Sequence, residues 1–343
     1  MQFMGFVNLT PFAAEQMAMM DQNGTDILVY VVKASYAIVE NKTLALAEKQ
    51  TPVFWAAEYF GQPDSSSIKY ESEATFAKTA TDVVMIGHAH APGGQATQVD
   101  VSLTAGRLSK TIRVYGDRYW LKSLGRWTIT KPLPFSRVGL VYEQAFGGWD
   151  KSDPDSSNHT FDASNSVGTG FRRPGTPCRS GDKLPNLECP QNLIRRPEDR
   201  PQPAGFGFVA PNWQPRIRYA GTYDQDWQSK RMPLLPRNFD LRFFNAAHPG
   251  LIAQDYFKGG ELIDIINASP KGRLCFNLPQ LALEAVVMIK DEQKVHTDMP
   301  LDTVIINTDE DLVYLIWRGR VNVHNRLDKV FWAKTQLKEG HLN

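Results

Sequence analysis

Between Gln144 and Asn245 the chain carries twelve of its 22 prolines, from Pro154 to Pro236. Proline lacks a backbone donor and fixes φ, so neither a helix interior nor a central strand accommodates that density. Proline content alone would describe a linker or a disordered tract. The aromatics of the same stretch argue against that: Phe206, Phe208, Trp213, Tyr219, Tyr223, Trp227, Phe239, Phe243 and Phe244 are too many for a solvated tether. Ordered, irregular backbone fixed onto a scaffold is the expectation. Long ordered loops of this kind tend to carry function, so the working surface is sought here.

On both sides the pattern is β. Residues 26–39 are β-branched and aromatic and read as a largely buried strand. Asn23-Gly24 suits a hairpin turn pairing it with 16–20. A rival reading makes 11–21 a short helix, with Thr10 as cap and Pro11 at its first position. Asn41-Lys42 then turns the chain into a strand over 44–48. Further strand patterns fall at 67–80, 81–91, 98–105, 110–115, 126–130 and 139–144, and again at 261–268, 273–277, 281–290, 302–307 and 312–318. One short helix is expected over 222–232, capped by Thr222, and another could lie within 319–343. Short strands separated by turn signals, without βαβ alternation, indicate a mainly β protein, an antiparallel sandwich or barrel-like scaffold with few short helices. Three stretches result, an N-terminal β lobe (1–143), the irregular Pro/Gly/aromatic-rich segment (144–245) and a C-terminal β lobe (246–343), expected to form one compact unit.

A formal charge of +1 without a basic stripe speaks against nucleic acid as a direct partner. No run is long enough to span a membrane, and Met1–Phe6 shows no signal-peptide features, so a cytoplasmic location is expected. Cys178, Cys189 and Cys275 make an odd count without CxxC spacing, which fits free thiols in a reducing compartment. His88-Ala89-His90 puts two imidazoles on one face of a strand, but the spacing supplies no third ligand, so no metal and no cofactor are expected. The carboxylate sets Asp150, Asp153, Asp155 and Asp298, Asp302 invite an acid–base pair or a calcium loop, but the first lacks EF-hand spacing and reads as readily as turn chemistry. Gly168-Thr169-Gly170 has no Lys-Ser/Thr closing a phosphate loop, and no nucleophile elbow exists. No catalytic residues emerge.

The stretch 213–244 is rich in the residue types that dominate protein interfaces. The candidate partner-binding residues are Trp213, Arg216, Tyr223, Trp227, Arg231, Phe239, Arg242 and Phe243. Tyr223, Trp227 and Arg231 stand at i, i+4 and i+8, roughly one helical face. The competing reading is that most of these aromatics anchor the segment to the sheet.

A family likeness runs through the same stretches. It is carried in order by Gly87-His88-Ala89 with Ala91-Pro92-Gly93-Gly94, Ala145-Phe146-Gly147-Gly148, Asn165 to Phe171, Leu184 to Glu188, Pro203 to Gly207 and Trp213-Gln214-Pro215-Arg216. Ala220 to Asp224 with Trp227, Leu235-Pro236, Phe239-Asp240, Arg242-Phe243-Phe244, Gly259-Gly260-Glu261 and Leu301-Asp302-Thr303 continue it. Together these resemble the bacterial family called domain of unknown function 2169, over roughly residues 3 to 319. Ser166 stands where that pattern leads one to expect proline, and Phe208 is bulkier than the pattern. The resemblance implies an adaptor or chaperone of type VI secretion in the cytoplasm. Such a protein would hold an effector, through its PAAR-containing region, and help load it onto the VgrG spike. It implies no catalytic residues and leaves the oligomeric state open. Two alternatives stand beside it: a hydrolase using His88 and His90 with nearby carboxylates, and a structural component of the spike.

Overall fold

Asp26–Val39 is buried on both faces for most of its length, as its β-branched and aromatic run dictates. The chain is seen in a computed structural model that describes residues 5–40, 42–290, 294–324 and 327–338. Around Asp26–Val39 forms a six-stranded sheet in the order Ala13–Met20, Asp26–Val39, Leu312–Asn322, Leu301–Asn307, Asp82–Ile86, with Thr43–Leu46 also pairing with Asp26–Val39. Its pairs are antiparallel except Asp82–Ile86 against Leu301–Asn307. The Asn23-Gly24 hairpin is present, with Gly24 at φ +79°, and it excludes the rival helix over 11–21. Asn41, half of the next expected turn, lies outside the described residues.

A five-stranded antiparallel sheet runs Leu187–Glu188, Leu108–Tyr115, Gln98–Ala105, Leu262–Ile266, Arg273–Asn277. A four-stranded sheet runs Gly5–Asn8, Val330–Leu337, Leu283–Ile289, Lys294–Met299. Strands from before and after the irregular segment therefore share each of these three sheets. One continuous apolar cluster joins them, drawing Val31 and Leu315 from the first, Val101 and Ile265 from the second, and Ala285 and Val287 from the third. With 42% strand against 9% helix the protein is mainly β, and its sheets stay open without closing a barrel.

Several expected strands change shape for identifiable reasons. The pattern over 81–91 splits into Asp82–Ile86 and His88–His90 at Gly87, where a Cβ would sit 2.0 Å from Thr308 Oγ1. The 67–80 pattern keeps only Ile68–Tyr70, because Glu73 and Lys78 turn inward to buried ion pairs with Lys33 and Asp82. Over 139–144 the chain makes a 3-10 turn, Tyr142–Gln144, not a strand. The helix entertained within 319–343 is absent from its described part: Leu312–Asn322 continues as strand, and Val330–Leu337 is another.

The irregular segment is ordered by buried polar groups that satisfy its backbone, which a loop inside a compact fold requires. Asp82, fully buried, accepts from Asn245 Nδ2 (3.0 Å), the Ala246 amide (2.8 Å) and Lys78 Nζ (2.7 Å). Arg118 pairs with Glu188, whose other oxygen accepts the Ile194 amide at 2.8 Å. Asn165, also fully buried, donates to the carbonyls of Tyr142 and Phe146.

Candidate functional site

The eight candidate residues divide by burial. Trp213 is 3% exposed, packs edge-on against Tyr142 and donates its indole N–H to Ser166 Oγ at 3.1 Å. The serine at the position where the family pattern leads one to expect proline thus supplies the partner that a buried indole needs. Arg216 is 5% exposed: its guanidinium pairs with Glu71 and donates to the carbonyls of Val209 (2.9 Å) and Phe243 (2.8 Å). Phe239 is buried in a ring cluster with Phe243 and Phe244. These three are buried and hold the segment in place, Arg216 alone also lining a groove at the surface.

The helical face needs correction. The helix α1 spans only Gln225–Lys230, capped by Asp224 through the Trp227 amide, and not by Thr222. Tyr223 lies before the cap and Arg231 at the C-terminal cap. Tyr223 and Trp227 still meet, ring centroids 4.7 Å apart and edge-on, with Tyr223 54% exposed. Trp227 is half-buried because its indole N–H donates to the Leu234 carbonyl at 2.8 Å. Arg231 instead turns inward, donating to the carbonyls of Leu235 and Gln22. Gln22 in turn donates to Phe239 O at 3.1 Å, so the hairpin turn clamps the segment carrying α1.

A groove of about 500 Å³ opens between the Arg216–Tyr219 turn and residues 240–254. Pro215, Tyr219, Ala247, Pro249 and Ile252 give it apolar walls, and Arg218, Asp240 and Arg242 give it a charged rim. Arg218 and Arg242 both lie over the Tyr219 ring, at 4.8 and 4.5 Å from its centroid. Arg242 is held by Asp240 at 2.9 Å, and that contact pulls the Asp240 carboxyl below its usual range. Arg218 donates to Tyr219 Oη and has no carboxylate partner among the described residues. The sequence reading did not single out Arg218 and Tyr219 as site residues, and missed the wall at 249–252 altogether. The two basic residues of Arg216-Ile217-Arg218-Tyr219 were visible signals, but which of them faces solvent depends on the turn they sit in. An apolar groove rimmed by cations flanking an aromatic ring can grip a polypeptide side chain that is apolar with an acidic neighbour.

Of the residues behind the hydrolase alternative, the two imidazoles stay near Asp309 and Arg137, whereas Asp298 and Asp302 are held by Lys338 and Arg318. His88 Nδ1 lies 2.7 Å from Asp309, with Arg137 reaching both. His90 lines a cavity with Pro92, Gly93, Lys271 and the same Arg137, and burial and the Arg137 charge lower its pKa. Asp302 is locked to Arg318 at 2.7 Å while Asp298 is exposed. Among the described residues no group of three or more His, Cys, Asp or Glu could hold a metal ion, and all three cysteines are free.

A family model described as "Uncharacterized protein conserved in bacteria (DUF2169)" matches residues 23–318 of this chain. No curated protein matches it, and no solved structure does.

Proposed function

The chain belongs to the bacterial DUF2169 family, and we propose that it works as a cytoplasmic adaptor or chaperone that binds a type VI secretion effector and helps load it onto the VgrG spike. The observation that carries this reading is the groove rimmed by Arg218 and Arg242 over Tyr219, on the same segment that exposes Tyr223 against Trp227. Aromatic and arginine side chains on an ordered support lose little entropy on binding, which is why such residues dominate interface energetics. The effector is engaged through its PAAR-containing region, and the adaptor performs no chemistry.

The test is titration of the cognate PAAR-containing effector against the wild type and against Tyr223→Ala, Arg218→Ala and Arg242→Ala. At least one variant should weaken binding by about 2 kcal/mol or more, roughly thirtyfold, with its thermal unfolding unchanged. No binding by the wild type would remove the adaptor reading. Binding that all three variants retain would keep the reading and move the surface elsewhere, first to the loop around Gly87–Gly94.

A further inference from the structure

Lys110 stands outside the groove, on Leu108–Tyr115, half-buried and without a carboxylate partner among the described residues. Its Nζ lies 3.2 Å from Nε2 of His248. His248 caps the 3-10 turn Pro249–Leu251, and its Nδ1 accepts the Gly250 amide at 3.0 Å. An amide N–H only donates, so Nδ1 carries no proton there, and a neutral imidazole must carry it on Nε2. The Pro203 carbonyl, close enough to favour a protonated ring, is a natural acceptor for that proton. Wherever the proton points, Nε2 offers Lys110 no lone pair. An ammonium, which has donors only, would face an N–H; the free amine is the form that fits.

The electrostatics of the same corner agree. Burial is the first cause lowering the His248 pKa, so the ring is neutral at pH 7, while a hydrogen bond to Pro203 acts against the shift. Burial also lowers the Lys110 pKa, opposed by Cys189, the other titratable group acting on it. Three elements converge here: the Leu108–Tyr115 strand, the loop after Leu187–Glu188 that carries Cys189, and the His248 cap.

We infer that Lys110 is a nucleophilic amine and an acylation site for small activated acyl donors. Its Nζ lone pair attacks the acyl carbon and the N–C bond forms. The bond from that carbon to its oxygen leaving group breaks, the leaving group departs with the electron pair, and Nζ gives a proton to water. The product amide is neutral, so a half-buried site already holding a neutral amine accommodates it without a change in charge.

The experiment is competitive labelling of the full-length chain with trace acetic anhydride at pH 7, each lysine being quantified by peptide mass spectrometry. Lys110 should be acetylated at least about fivefold faster than the exposed Lys42 and Lys258. A His248→Glu variant places a carboxylate against the amine, restores the ammonium and should remove that advantage. Labelling of Lys110 no faster than that of the reference lysines overturns the inference, as does an advantage that persists in His248→Glu. If that variant does not fold, the pH profile of the unchanged chain decides. Half-maximal reactivity at a lower pH for Lys110 than for Lys42 supports the site; an equal or higher value overturns it.

Discussion

Arg216 and Arg218 belong to one turn, Arg216–Tyr219, and line the same groove. Arg216 is buried against Glu71 and two carbonyls, whereas Arg218 is exposed and lies over Tyr219. Removing one partner of a buried ion pair leaves the other charge without compensation, so Arg216→Ala should cost about 3–5 kcal/mol. Arg218→Ala should stay within about 0.5 kcal/mol. Denaturant unfolding of both variants measures the difference, and equal midpoints would show that the Glu71 pair is solvated in solution. The contrast also separates a folding defect from a binding defect at the groove. Residue type was legible in the sequence here and burial was not. Both arginines carry the same composition signal, and only the partners supplied by residue 71 and by the Val209 carbonyl decide between them.

The element that bends the chain into the irregular segment is Phe146-Gly147-Gly148, which pairs in parallel with Thr169-Gly170. Gly147 has φ +145° and a Cβ there would meet the Asn165 carbonyl at 2.2 Å; at Gly148, φ is +99° and the Gly168 carbonyl would be at 2.2 Å. In Gly168-Thr169-Gly170, Gly168 is close-packed on the buried Asn165, whose Nδ2 a Cβ would meet at 2.4 Å, and Gly170 packs on Pro185. Gly147→Ala should destabilise by more than about 2 kcal/mol, and should open 150–212 to protease before the β sheets are cut. In the wild type, limited proteolysis should spare the segment. Rapid wild-type cutting there would mean that the buried polar anchors do not hold it. At this scale the regular elements were the legible ones: Gln98–Ala105 and Arg273–Asn277 are read with the same bounds, because one face is apolar and the other polar. Lys294–Met299 escaped because it is an edge strand with mostly polar outward positions, and it lies close against Gly319, where a Cβ would sit 2.8 Å from Met299 Cγ. The extent of α1 was overestimated, since aromatic spacing continued past a helix whose caps are Asp224 and Arg231.

Taken as a whole, the molecule is held by contacts between distant parts of the chain, and its buried phenols sit where those parts meet. Tyr30 and Tyr36 lie on Asp26–Val39, Tyr314 on the neighbouring Leu312–Asn322, and Tyr70 packs edge-on against Tyr314. Tyr142 joins the scaffold to the irregular segment through Trp213. Burial raises the pKa of each, that of Tyr36 to about 12, from an ordinary value of 10.0. For an acid raised in the folded state, the unfolded chain releases the proton first. Below pH 10 these groups contribute nothing to the pH dependence; above it the unfolded state binds fewer protons and stability falls. Lys33 and Lys110, lowered by burial, act in the opposite sense at pH values up to their ordinary 10.5, which confines the net loss to still more alkaline solution. The stability of the chain should therefore hold to about pH 10 and then drop steeply, with tyrosinate absorbance from the buried rings rising together with the loss of β circular dichroism. The coupling follows from the topology: a phenolate at Tyr30 or Tyr314 is an unpaired charge inside the six-stranded sheet, and that sheet contains strands from both ends of the chain. If all the tyrosines ionise gradually around pH 10 while the β signal persists, the rings are reached by water in the native state. The single core joining the three sheets would then be looser than its packing implies.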